Sequence, residues 1–177
     1  NSKTDEDLIH TIYQFMMERL KYYYADKNID NNVFMSVLAI NTKYPFEFDV
    51  KVKILNDFIK KPELTTLVEI NKRINNILQT HKDKKEFLVD PALFVKAEEE
   101  KLFTAINKTR NILIKAKDYK KSIEELLKIE IFVSDFFDNV MINYKDESIK
   151  NNRIALIKEL RSLFLCIGDI SHLSQFK

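Results

Sequence analysis

With 177 residues and 45% hydrophobic content, the chain can bury a real core, which excludes a disordered segment. Its single glycine, Gly168, excludes a glycine-rich phosphate loop, a dinucleotide fingerprint and a nucleophile elbow, and argues against tight β-hairpins. The net charge is only +2, but residues 49–121 hold 17 basic and 11 acidic side chains, a surplus of +6, so the middle of the chain is where a polyanion is expected to dock.

The apolar spacing predicts helices throughout. Thr4, followed by Asp5, Glu6 and Asp7, reads as an N-cap with acids in the first turn. Leu8, Ile12, Phe15, Met16 and Leu20 then form a stripe that carries a first helix to about Tyr24. Asp30 or Asn31 caps a second, shorter helix through Val33, Val37, Leu38 and Ile40. The Tyr44–Pro45 step breaks the chain, and a third helix carries Val50, Ile54, Leu55 and Phe58. Pro62 suits the first turn of a fourth helix with Leu64, Leu67, Ile74, Ile77 and Leu78 inside.

His81 to Asp90 reads as a charged loop, and Phe94 is placed to plug the core. A fifth helix follows through Ala97, Leu102, Ile106 and Leu113. A long sixth spans Ile123 to Met141, and a seventh starts near Asp146 and runs through Phe164, with Gly168 as its C-terminal cap. The tail from Ile170 to Phe176 is expected to pack back. Residues 1–177 are thus expected to form one all-α bundle of about seven helices.

Catalytic chemistry has no visible home. None of His10, His81 and His172 has the i,i+4 partner of a helical zinc site, so no metal is expected. Cys166, the only cysteine, lies among Leu163, Phe164, Leu165 and Ile167 and reads as a buried inert thiol. One cysteine also rules out an intrachain disulfide and fits a reducing, cytoplasmic compartment. No apolar run approaches the length of a membrane span, so no membrane partner is expected. Glu98, Glu99, Glu100, Glu124 and Glu125 read as solvated helix faces. Because the chain begins at Asn1 rather than Met, it is expected to be processed or part of something larger.

Two polar residues interrupt apolar stripes. Asn71 falls on the inner face of the fourth helix, where an amide without partners costs about 1–3 kcal/mol. It either ties down a neighbouring loop or reads a base edge beside Lys72, Arg73, Asn75 and Asn76. Arg153 falls inside the stripe Ile149, Leu156, Leu160, Leu163, and a buried guanidinium wants a carboxylate. Asp135 and Asp138 on the preceding helix are the expected partners.

Five segments together resemble one family: FEFDVKVKILNDF (46–58), INKRINNIL (70–78), VDPALF with its following acidic run (89–100), YKKSIEELLKIEIFVSDFFDNVMI (119–142) and KNNRIALIKELRSLFLCIGDISHL (150–173). The chain is similar over nearly its whole length to the C-terminal, anticodon-binding (DALR-like) part of bacterial glycyl-tRNA synthetase β subunits. In that family Gly168 is usually alanine. The resemblance implies a helical domain, like those of arginyl- and cysteinyl-type synthetases, that grips the anticodon arm of tRNA(Gly). It also implies a parent of two α and two β subunits, in which the α subunit makes glycyl-adenylate from glycine and ATP. ATP and Mg would be used elsewhere in that holoenzyme, so this chain needs no cofactor and no catalytic residue of its own.

The residues fit that expectation. Lys72, Asn75, Asn76 and Gln79 share one polar face of the fourth helix, beside Arg73 and Asn71. Tyr22, Tyr23, Tyr24 and Tyr44 are possible stacking groups for unstacked bases. The rival expectation is a helical scaffold that holds synthetase subunits together without reading the anticodon.

Overall fold

The computed structural model describes residues 2–81, 87–116 and 118–173. Eight α-helices lie among them: α1 (Ser2–Asp26), α2 (Asn31–Leu38), α3 (Pro45–Phe58), α4 (Pro62–Gln79), α5 (Ala97–Lys115), α6 (Tyr119–Leu127), α7 (Glu130–Asn139) and α8 (Glu147–Phe164). Two 3₁₀ turns, Pro91–Leu93 and Ile170–His172, complete the all-α architecture.

Local chemistry sets most of the helix ends. Asp30, Asp118 and Asp146 each accept a hydrogen bond from a first-turn amide of α2, α6 and α8, and Asp90 and Asp169 do so for the two 3₁₀ turns. Pro45, Pro62 and Pro91 stand in the first turn of α3, α4 and the first 3₁₀ turn, where no partner for the missing N–H is needed. A chain with one glycine still needs left-handed residues to leave a helix. Asn28 (φ 57°) and Asn41 (φ 49°) supply them just after α1 and α2.

One apolar cluster runs from Tyr24 to Leu173. Within it α4 packs on α8 and the terminal 3₁₀ turn, and α5 packs on α7 and α8. The tail does pack back: Ile170 and Leu173 are buried. The part of it beyond residue 173 lies outside the described residues.

Four expectations change. The first helix already begins at Ser2, so Thr4 is not its cap. Most of its apolar stripe is also outside the core: Leu8, Ile12, Phe15 and Met16 are exposed, and only Leu20 of the stripe packs against the core. The long sixth helix is two, α6 and α7, meeting at Lys128 and Ile129. Both residues keep right-handed helical angles with ψ near −20°, and Ile129 N–H bonds the Leu126 carbonyl three residues back. A tightened turn of this kind leaves the apolar spacing nearly intact, which is why periodicity runs through it.

Gly168 does not cap α8 with a left-handed residue. Its φ is not positive, and the helix ends at Phe164. Its role is close approach: a Cβ there would stand 3.1 Å from the Ser36 carbonyl oxygen and 3.3 Å from its carbon. The same carbonyl accepts the Asp169 N–H at 2.7 Å, so the terminal turn is sewn to α2 backbone to backbone. Gly168→Ala needs Ser36 to yield by a few tenths of an ångström, and gains from a stiffer unfolded chain by about 0.4–1 kcal/mol. The net change in urea-unfolding stability is expected to stay within about 1 kcal/mol. A loss of about 3 kcal/mol or more would show that the α2 backbone cannot yield.

Candidate nucleic-acid interface

The α4 face divides as the helical wheel demands. Arg73, Asn76 and Gln79 are exposed, and Lys72 and Asn75 are half-buried. Arg73 is not free: its guanidinium lies 4.3 Å from the Phe137 ring centre and donates to the Phe137 carbonyl at 3.5 Å. Asn71 is removed from the surface. It is 1% exposed, and its amide donates to the Leu67 carbonyl one turn back at 3.0 Å. Its burial on the core face of α4 takes it off the exposed polar face, and its described hydrogen bond stays within its own helix.

Arg153 is buried in an ion pair, but with a different carboxylate. Its Nε and Nη2 donate to the two oxygens of Glu99 at 2.9 and 3.2 Å, and Nη1 donates to the Met141 carbonyl at 2.7 Å. The Tyr144 ring covers the guanidinium at 4.7 Å. Asp135 instead faces Lys101 at 3.7 Å and accepts from Asn139, and Asp138 is exposed. The reason is packing: α5 lies against both α7 and α8, and Glu99 in its first turn is the carboxylate brought to Arg153.

Glu99, read from sequence as a solvated face, is 0% exposed. It also accepts the amides of Val95 and Lys96 at 2.9 and 2.8 Å. Burial by itself raises a carboxyl pKa; here the Arg153 bond and the two amides outweigh it and hold Glu99 below its ordinary value of 4.5. A lowered folded-state pKa contributes stability that is complete above the unfolded value and is lost as pH falls through the folded one. Wild-type unfolding free energy should therefore decline as pH drops below about 4.5, and more steeply than that of Glu99→Gln. Parallel urea titrations at stepped pH check this, and equal slopes would refute it.

The neighbouring Asn152 is equally structural. Its Oδ1 accepts the Asp90 N–H at 2.7 Å and its Nδ2 donates to the Asp90 carbonyl at 2.9 Å. The NNR segment of α8 thus clamps the VDPALF segment and the acidic run, residue by residue. In the last motif, Asp169 accepts from Arg161 at 2.6 Å while capping the terminal turn. Sequence reasoning missed Glu99 and Asn152; the signal was their position inside two of the five segments.

Tertiary structure also redistributes the basic surplus. Lys51 is 7% exposed, pairs with Glu47 at 3.5 Å and lies 5.0 Å from the Tyr119 ring centre. The Tyr119 hydroxyl donates to Glu47, and burial with that bond pushes the phenol up to about 12. Arg110 pairs with Glu159, and Lys53 with Asp49. Of the tyrosines, Tyr22, Tyr23 and Tyr44 are exposed, whereas Tyr24 is buried and donates to Asp49 at 3.0 Å. Exposed lysines that gather without an acidic partner among the described residues are Lys108, Lys115 and Lys121, on α5 and α6.

Cys166 is partly buried, and burial pushes its thiol up to about 11, so it stays protonated at neutral pH. Among the described residues no group of three or more His, Cys, Asp or Glu could hold a metal ion, and no helix is long and apolar enough to cross a membrane.

A helical bundle whose polar clusters are structural clamps, and whose solvent face carries lysines and amides, has the outline of a binding domain. Residues 68–168 match the DALR anticodon binding domain, and the chain belongs to that family. Over 170 residues it is 36% identical to the glycine–tRNA ligase beta subunit of Pseudomonas fluorescens, covering 94% of this chain and 25% of that protein. The beta subunits of Azotobacter vinelandii (30% over 171 residues) and Coxiella burnetii (34% over 172) each cover 95% of this chain. The chain spans about a quarter of the length of these relatives.

Proposed function

We propose that this domain recognises the anticodon arm of tRNA(Gly) for a glycine–tRNA ligase whose ATP-dependent chemistry is housed elsewhere. The observation that carries the reading is the anticodon-binding family match over residues 68–168, in a chain whose relatives are glycine–tRNA ligase beta subunits. Its partners would be tRNA(Gly), the rest of the beta subunit and an alpha subunit, in an α2β2 assembly in the cytoplasm. Catalysis is served by positioning: binding energy at the anticodon loop holds the acceptor end at a distant site.

Lys72 and Arg73 are assigned to phosphates, and Asn75, Asn76 and Gln79 to bases. The test is filter binding of tRNA(Gly) to the full-length beta subunit over a salt series. Lys72→Ala/Arg73→Ala should weaken binding and reduce the salt slope by about 0.7 for each phosphate that is no longer neutralised. Asn76→Ala should act on discrimination, narrowing the gap between cognate and altered anticodons by about 1–3 kcal/mol, a magnitude taken from base-edge recognition in DNA. Equal affinity for cognate and scrambled anticodon arms would refute anticodon reading.

One observation favours the scaffold reading. Leu8, Ile9, Ile12, Phe15 and Met16 of α1 are 47–66% exposed, an apolar stripe open to solvent among the described residues, with only Arg19 of the same helix over the Phe15 ring. An assembly role there predicts that Ile12→Glu/Phe15→Glu impairs association with the alpha subunit in size-exclusion chromatography while tRNA binding persists.

A further inference from the structure

A cleft of about 540 Å³ opens between α5 and the α6–α7 turn, and it continues into a second of about 440 Å³ at the α5–α6 corner. Lys108 and Ile112 line both, so the two form one groove along α5. Its volume is that of a small-molecule site, and the floor of the larger part is apolar, with Ile112, Ile129 and the edge-exposed Phe132.

Charge is distributed unevenly along this groove. Lys108, Lys115 and Lys121 surround the smaller part, are all exposed, and face no carboxylate there. Lys108 and Lys115 are seven residues apart, two turns along the same side of α5, or about 10 Å. The larger part is different: Lys101 and Lys128 are paired with Asp135 and Glu125, and Glu100 stands exposed at its rim. Anionic groups are therefore drawn to the lysine end, whereas at the other end the charges are largely paired with one another. An apolar floor with an aromatic ring, acceptor-only carboxylates and a cationic end is complementary to a nucleotide with its base in the wide cleft and its phosphates outside it.

We propose that this groove binds a single-stranded RNA segment. An unstacked base lies on Phe132, and the flanking phosphates lie on Lys108, Lys115 and Lys121. The carboxylate of Glu100 accepts from an exocyclic amine of that base. The site is separate from the α4 face, and it rests on the RNA-binding reading above but not on the assignment of α4.

The experiment is filter binding of a tRNA(Gly) transcript to the full-length beta subunit across a salt series. Lys108→Ala/Lys121→Ala should weaken binding and lower the salt slope by about 1.4, at 0.7 for each single-strand phosphate. Phe132→Ala should weaken binding roughly 5- to 150-fold with the slope unchanged, the signature of a missing stack, and Phe132→Tyr should restore it. Thermal unfolding confirms that each variant is folded. If the α4 variants lose affinity while all groove variants bind with wild-type affinity and slope, the groove inference is wrong and the RNA-binding reading stands. If the groove variants lose affinity and the α4 variants do not, the groove is confirmed and the α4 assignment falls. If neither set changes affinity or slope, the inference is overturned and the RNA must be held outside this domain.

Discussion

Arg153→Leu should lower the unfolding free energy by about 3–5 kcal/mol, read as a sharp fall in the urea midpoint. The magnitude follows from what is left behind. Glu99 is 0% exposed and loses both guanidinium donors, and the Met141 carbonyl loses its donor as well. The Val95 and Lys96 amides still reach the carboxylate, but two amides do not neutralise a buried charge. The double variant Arg153→Leu/Glu99→Gln removes the charge while keeping an acceptor for those amides, so it should be more stable than Arg153→Leu alone. A single variant with a wild-type midpoint and reduced tRNA affinity would make Arg153 a phosphate ligand and sink the ion-pair account.

Asn152→Ala should cost about 1–3 kcal/mol, because both backbone groups of Asp90 lose their partner at once. The effect should also be local. Asp90 begins the 3₁₀ turn that leads into α5, so its amide should exchange hydrogen faster in the variant under conditions where the core is still protected. Asn152→Asp keeps the acceptor but loses the donor and buries a charge, so it should be at least as damaging. Unchanged exchange at Asp90, with a stability loss under about 0.5 kcal/mol, would mean the clamp is incidental.

These two residues show how far a sequence can be read. Arg153 was legible as buried and in need of a carboxylate, since it interrupts an apolar stripe. Its partner was not legible, since Glu99 is 54 residues away, inside an acidic run that looks solvated. Asn71 shows the converse: its place on the inner face was legible, and that same burial removes it from the RNA-binding set. Lys108, Lys115 and Lys121 were visible as charges but not as a site, because they come together only when α6 folds back along α5.

By itself the sequence determined the helical class, the aspartate and proline starts of the helices, the family and the basic middle of the chain. Each of these depends on residue type and on spacing within a few turns, where the backbone's own hydrogen bonds and steric limits decide the outcome. Only the tertiary structure decided the rest: the turn between α6 and α7, the partner of Arg153, the exposure of the α1 stripe, and which lysines remain unpaired. An apolar stripe states that a helix has a face to bury, and a charge that it has a field. What covers the face, and what neutralises the charge, depends on segments far away in the chain that packing alone brings together.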